Sequence, residues 1–417
     1  MTPGPSNADP ISVAYVTCRY PPMTSSGTFR VQAMMRHFPL LGIEPMVVTI
    51  PESWVRQQTN ELEGVVVDEP FVLRPHTRSD PLLQALSQVR GVRSALRSAV
   101  VPDILAPWAR GAARTVSSSL RGVGLVYSTA PPFSSMILAD HLADRLGVPL
   151  VQEVRDPPSF NRRLRSRSQL TRRRMRRFEG AYLSRADAVI AVTPGMRAGL
   201  LARHAQLDPT RLHVVTNGYP DIEADPSLSS RDPDRFTIAY VGSFQGSVPT
   251  RSDSSFTPEI LIPALKQLPG NPQLRLVGPV TASQRAALGR SGDQLVEFIG
   301  RVPRKVAIAE IAAADVSLIL AEDDPWWIGR KAFEYLAFAQ RILAVVPAGD
   351  TSDLLADSPK STVVLPADRR LVTESVVQLH GAWMSGVRPV GAEPAVQTDE
   401  ACAQDVARIL RQVALGE

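Results

Sequence analysis

The chain has 417 residues, a formal net charge of +5 and a sequence pI near 9.4, which is too long for one ordinary core and predicts two domains. Apolar content of 44% and charged content of 21% are those of a soluble globular protein, and no apolar run approaches the roughly 18 residues of a membrane-spanning helix. Two cysteines, Cys18 and Cys402, argue against a disulfide framework or a zinc site, and the opening MTPGPSNADP lacks the basic and apolar regions of a signal peptide, so a cytoplasmic location is expected.

In chain order, short apolar runs alternate with longer amphipathic stretches, the pattern of α/β layers around parallel sheets. Strands are predicted at 11–17, 46–50, 124–128, 149–154, 188–192 and 212–216, with helices including 29–39 and 132–146. Residues Asn217 to Asp234 are rich in Pro, Ser and Asp and read as an interdomain linker. The alternation restarts with strands at 237–242, 274–278, 296–300, 316–320, 342–346 and 362–365. Helices are predicted at 258–267, 283–290, 305–313 and 330–339, and a last one at 400–415. The expected division is 1–217, 218–390 and a C-terminal helical segment 391–417 that crosses back to the first domain. The two α/β domains are expected to face one another across a cleft.

The basic residues are unusual in kind. Of 46, only Lys266, Lys305, Lys331 and Lys360 are lysines. This reads as a coding bias, so an arginine cluster is weaker evidence for a site than a lysine is. The most informative stretch is Asp324 to Asp350. It reads as a turn with Gly329, a helix start with Arg330 and Lys331, Glu334 one turn in, and then a buried strand. A helix N-terminus with free N–H groups and a neighbouring cation suits phosphate. An acid just inside it can accept hydrogen bonds from a ribose diol. Together these point to a nucleoside diphosphate, although a plain helix opening with Phe333 and Leu336 in the core would account for the apolar positions.

Other constellations are less specific. Gly27 follows the first strand, where an open α/β sheet binds ligands, but an ordinary connecting loop fits equally, and the segment is not a GxGxxG fingerprint. Arg155 and Asp156 end a buried strand, as cleft residues or as a structural ion pair or cap. Nine arginines fall within the sixteen residues Arg162–Arg177. They could meet an anionic acceptor or a membrane face, or form a solvated helical face. Nucleic acid is not expected, since no aromatics are interleaved. Asp232-Pro-Asp234 has the spacing of an Asp-x-Asp metal motif but falls in the linker, and no metal site is predicted.

These pieces, in order, resemble family 4 glycosyltransferases of the GT-B fold over nearly the whole chain. They are Pro21-Pro22 with Ser26-Gly27 and Arg30, Ser128 to Pro132, Val154 to Pro157, and Ala186 to Thr193. Thr216-Asn-Gly218, Tyr240-Val-Gly-Ser243, Phe298-Ile-Gly300, Ala314-Asp315 and Lys331 to Ala337 follow. The resemblance implies two Rossmann-like domains and retaining, metal-independent transfer of a hexose. The donor would be a nucleotide sugar, expected to be a UDP-sugar, and the acceptor a hydroxyl of a glycan, lipid-linked sugar or small aglycone. No cofactor is implied beyond the nucleotide sugar itself. Glu334 matches the ribose-binding glutamate, and Ile328, Gly329 and Arg330 the turn that contacts donor sugar and diphosphate. Gly27 matches the loop glycine near the diphosphate, and Arg251 is the candidate cation after the first strand of the second domain. Arg155 stands where relatives often carry a histidine near the reacting centre, and Asp156 would orient the acceptor hydroxyl. The first glutamate of the family's usual pair falls at Trp326. The implied alternatives are a sugar-nucleotide epimerase of the same fold and a non-catalytic binding partner. Peripheral membrane contact through Arg162–Arg177, at the inner face, is part of the same expectation.

Overall fold

The computed structural model describes residues 10–23, 26–56, 71–78, 80, 100–161, 167–242, 257–292, 294–321, 324–366, 368–387 and 396–416. The chain forms two compact units: residues up to 217 together with those from 399 onward, and residues 218–398.

The first unit is built on seven parallel strands: β1 (Ile11–Thr17), β2 (Ile43–Val48), β3 (Val72–Leu73), β4 (Leu125–Ala130), β5 (Leu150–Val154), β6 (Ala188–Ala191) and β7 (Leu212–Val214). Their order is β3-β2-β1-β4-β5-β6-β7. Strands covered on both faces are mostly apolar rather than alternating. β4 and β5 are buried at every position, and their polar side chains pair across the strands, Ser128 with Gln152 and Thr129 with Glu153. Tyr15 of β1 lies in register with Tyr127 of β4, and their rings meet edge to face at 5.0 Å. The Ser26–His37 helix brings Val31, Met34 and Met35 onto this core, and the Asp399–Leu415 helix adds Cys402, Val406, Ile409 and Leu410 from the far end of the chain. The last helix therefore completes the hydrophobic core of the first unit.

Helix boundaries follow capping chemistry. Ser168 accepts from the Thr171 N–H at the start of the Gln169–Leu183 helix, and Thr193 accepts from Met196 ahead of Pro194 at the next. Gly147 stops the Ser134–Leu146 helix with φ at +66° and an N–H bond to the Ala143 carbonyl.

The second unit has six parallel strands: β8 (Thr237–Val241), β9 (Gln273–Val277), β10 (Val296–Gly300), β11 (Val316–Leu320), β12 (Ile342–Val345) and β13 (Ser361–Val364). Their order is β10-β9-β8-β11-β12-β13. The segment read as an interdomain linker begins at the boundary between the two units, and beyond Asn217 it packs onto this one. Arg231 pairs with Asp315 at 2.8 Å, and the Ser230 hydroxyl accepts from Arg275 at 2.9 Å. Arg275 is itself buried and held by Glu310 and Glu297. Asp232 accepts from the Asp234 N–H at 3.0 Å, so this Asp-x-Asp closes a local turn.

The twelve predicted strands are present, displaced at most by a few residues at their ends. The two-residue β3 is additional, too short to leave a period. The 258–267 region divides into a 3₁₀ turn, Pro258–Leu261, and a helix, Ile262–Leu265.

Candidate functional site

Both sheets change direction beside their first strand. β1 lies between β2 and β4, and β8 between β9 and β11. The carboxyl edge at such a switch point leaves a crevice, because the following loops depart to opposite sides.

In the second unit this edge is shaped by glycines. Gly242 follows β8 at φ +126°, Gly278 follows β9 at φ +138°, and Gly300 ends β10 at φ +80°. These are backbone conformations that an L side chain rarely adopts. They knit the edge together: the Gly242 N–H donates to the Val277 carbonyl and the Gly278 N–H to the Gly300 carbonyl, each at 2.7 Å. A Cβ on Gly278 would overlap the Gly242 carbonyl oxygen. The result is a floor of bare backbone that a ligand can approach closely.

Over this floor stands the Arg330–Phe338 helix, which follows β11. Ala332, Phe333, Tyr335 and Leu336 face the core, joined by Ile328, 7% exposed, from the preceding turn. Arg330, Lys331 and Glu334 remain only partly buried. Gly329 is the N-cap, no side chain caps this helix, and the Ala332 N–H donates to the Gly329 carbonyl at 2.9 Å, so the positive end of the helix dipole is not covered by a capping side chain. The Trp327 ring lies where a Gly329 side chain would be. The turn is braced from behind by Asp350, whose N–H donates to the Pro325 carbonyl at 2.8 Å, and by the Thr351 hydroxyl, which donates to the Trp327 carbonyl.

The charges at this helix start are fixed by specific partners. Lys331 Nζ donates to the Tyr240 hydroxyl at 2.8 Å and lies 4.0 Å from the centroid of that ring. An added Cβ on Gly242 would come within 3.1 Å of the same ammonium, so Lys331 extends over the end of β8. The neighbouring Tyr335 hydroxyl accepts from the Val241 N–H at 2.9 Å; burial pushes its phenol far above the usual range, so it stays neutral. Glu334 receives Arg304 at 2.7 Å and Arg330 at 3.2 Å, both on Oε1.

In the first unit Gly27 follows β1, beside the switch point, and Arg155 and Asp156 follow β5. The Arg155 guanidinium packs on Gly27, where a Cβ would sit 2.6 Å from Nη1. It donates to the Pro131 carbonyl at 3.0 Å, while its Nε is buried with no acceptor among the described residues. Beneath this edge lies a pair that sequence reasoning did not find. Arg30 Nη2 meets Glu153 Oε2 at 2.8 Å, both fully buried. Glu153 also accepts from the hydroxyls of Tyr127 at 2.7 Å and Thr129 at 2.6 Å. Arg30 donates further to the Val215 and Thr216 carbonyls. Burial pushes the Glu153 carboxyl up, but Arg30, the Thr129 hydroxyl and the nearby Arg155 together hold it below its ordinary value.

Arg251 lies outside the described residues. Trp326 is partly buried in the braced turn. Among the described residues, no group of three His, Cys, Asp or Glu side chains is arranged to hold a metal ion. Tyr240 and Arg304, which contact Lys331 and Glu334, were not anticipated. The only local signals were an aromatic in an otherwise aliphatic strand and an arginine opening a helix.

Two parallel α/β units of this kind define the GT-B glycosyltransferase fold. The chain superposes on Anabaena HepE, solved in complex with UDP, with a TM-score of 0.58 at 14% identity, over 98% of this chain and 99% of that one. Sucrose-phosphate synthase from Thermosynechococcus elongatus gives 0.61 at 16% identity over 98% and 97%. The UDP-forming α,α-trehalose-phosphate synthase from Burkholderia xenovorans gives 0.62 at 14% over 98% and 100%. No curated protein sequence matches the chain. At the sequence level, residues 27–218 match the glycosyl transferase 4-like domain. The protein has the GT-B glycosyltransferase fold, and its first unit carries a glycosyl transferase 4-like domain.

Proposed function

We propose that the protein transfers a sugar from a nucleoside-diphosphate sugar, in first place a UDP-sugar, to a hydroxyl of a glycan, lipid-linked or small-molecule acceptor, with retention of configuration and without a metal. The observation that supports this best is the helix start at Gly329, which no side chain caps, with Lys331 over Gly242 at the end of β8 and Glu334 one turn on. The structural neighbour solved with UDP points to the same ligand class.

In this reading the positive end of the Arg330–Phe338 helix and the Lys331 ammonium hold the diphosphate. Backbone at Ile328, Gly329 and Arg330 lines the donor. Glu334 accepts from the ribose diol through Oε2, its Oε1 being occupied by Arg304 and Arg330. Gly27 serves the diphosphate as well, and Arg251 adds a second cation. The acceptor hydroxyl, oriented by Asp156, forms its bond to the anomeric carbon as the bond to the diphosphate breaks, and the departing diphosphate oxygen takes the hydroxyl proton. Arg155 stands near the reacting carbon. Charge accumulates on the leaving diphosphate, so fixed cations and helix N–H groups aimed at it are the main catalytic contribution.

A melting screen against UDP, GDP, ADP and CDP tests the donor site. A nucleotide at 100 times its dissociation constant stabilises the native state by about 2.7 kcal/mol. UDP is expected to raise the melting temperature in the wild type and not in Glu334→Ala. No response to any nucleoside diphosphate would refute the reading. Product analysis with UDP-glucose then separates transfer, which frees UDP, from epimerisation, which leaves the nucleotide attached.

A further inference from the structure

The Gln169–Leu183 helix has two faces of opposite character. Its inner face is locked to the first unit through Met175, Phe178 and Leu183. Glu179, buried between them, accepts from the Ser159 N–H at 3.0 Å and from the Ser159 hydroxyl, and meets His204 Nε2 at 2.6 Å. The helix is therefore a rigid ledge. Arg172, Arg173, Arg174, Arg176 and Arg177 are exposed, with Arg173, Arg174 and Arg177 on the outer face. Arg176 caps the end of the neighbouring helix by donating to the Arg203 carbonyl at 2.7 Å. The other four form no ion pair among the described residues. The only acid in the helix is the buried Glu179, so the outer face carries no negative charge of its own.

One large apolar side chain shares this face. Leu170 is 58% exposed. At 100° per residue it falls on the same side as Arg173, Arg174 and Arg177, whereas Arg172 lies about 160° away, at the helix start. A cationic ledge with an exposed leucine in the arc matches a surface that offers phosphodiesters in a plane with hydrocarbon beneath. Arginine heads can fork onto lipid phosphates while their stems and Leu170 lie against the acyl boundary. The face lacks exposed aromatics to stack bases, which argues against single-stranded nucleic acid.

We infer that the outer face of the Gln169–Leu183 helix is a docking surface for an anionic lipid bilayer. This does not depend on the proposed donor site, whose Gly329–Glu334 helix start belongs to the other unit. Each arginine near an anionic membrane surface contributes about fivefold in partitioning. The interaction weakens as salt shortens the screening length from about 10 Å at 0.1 M to about 3 Å at 1 M.

The test is co-sedimentation of the full chain with vesicles of phosphatidylcholine, with and without 40% phosphatidylglycerol, in 0.1 M and 0.5 M salt. Binding is expected to the anionic vesicles only, and to fall with salt. The triple variant R173Q/R174Q/R177Q should bind about 100-fold more weakly, with unchanged melting temperature and unchanged response to UDP. Replacing the same three positions with lysine should retain most of the binding, and Leu170→Ser should weaken it several-fold. Three results would overturn the inference: no vesicle binding by the wild type, equal binding by the glutamine variant, or equal binding of double-stranded DNA and anionic vesicles. The last would show a general polyanion surface.

Discussion

Two sets of charges lie near the carboxyl edges of the two sheets, and they are partnered very differently. Arg30 and Glu153 are fully buried, and their contacts account for most of what each group can donate or accept. Lys331 and Glu334 are only partly buried and are held from one side, by Tyr240 in one case and by Arg304 and Arg330 in the other. A saturated buried pair has nothing left to offer a ligand, and its role is to fix the fold. Charges held on one side are oriented without being consumed. Sequence position near a strand end does not separate these roles; the count of satisfied partners does.

The sharpest way to break this contrast is at Glu153. Glu153→Gln leaves Arg30 buried without its counter-charge, at a cost of about 3–5 kcal/mol. That is roughly a 10 °C fall in melting temperature for a unit of this size, measured by calorimetry. Combining it with Arg30→Met should recover much of the loss, because the buried charge is removed as well. The same pair sets a pH dependence. Glu153 titrates below its ordinary value of 4.5 when folded. Its stabilisation is therefore complete above about pH 4.5 and is lost as pH falls through the folded value. Denaturant titrations across pH 3–6 should show this slope in the wild type and lose it in Glu153→Gln.

Next in size is Lys331→Ala. Loss of one charged contact to the leaving diphosphate should lower turnover by about 10²-fold, while the melting temperature stays near that of the wild type. A large stability loss would place Lys331 with the scaffolding charges instead.

The smallest effect is expected at Tyr240. Tyr240→Phe keeps the ring against the ammonium and removes only the hydroxyl, a contact worth about 0.5–1.5 kcal/mol. A several-fold rise in the donor KM, with kcat less affected, would identify Tyr240 as a residue that positions Lys331.

Much of the fold was legible because its signals are local. Runs such as Ile342–Val345, and Val316–Leu320 apart from Ser317, are apolar, as a parallel strand covered on both faces favours. The helix start at Gly329 was legible for a similar reason: a glycine, two basic residues and an acid one turn on lie within six positions. Val72–Leu73 left no trace, since two residues carry no period. Helices such as Ala106–Val116 were not predicted and are fixed by packing: Trp108, Ala109, Ala112 and Ala113 form their buried face.

The amino-acid sequence by itself determined the alternation of strands and helices, the doubling into two α/β halves, and the chemical character of the Gly329–Glu334 helix start. These depend on neighbours a few residues apart, and periodicity records such neighbours directly. Tertiary structure alone decided which charges are spent and which stay available. Arg30 meets Glu153 across 123 residues, and Lys331 meets Tyr240 across 91. No local pattern encodes such partners, because the topology of the parallel sheet chooses which strand ends become neighbours.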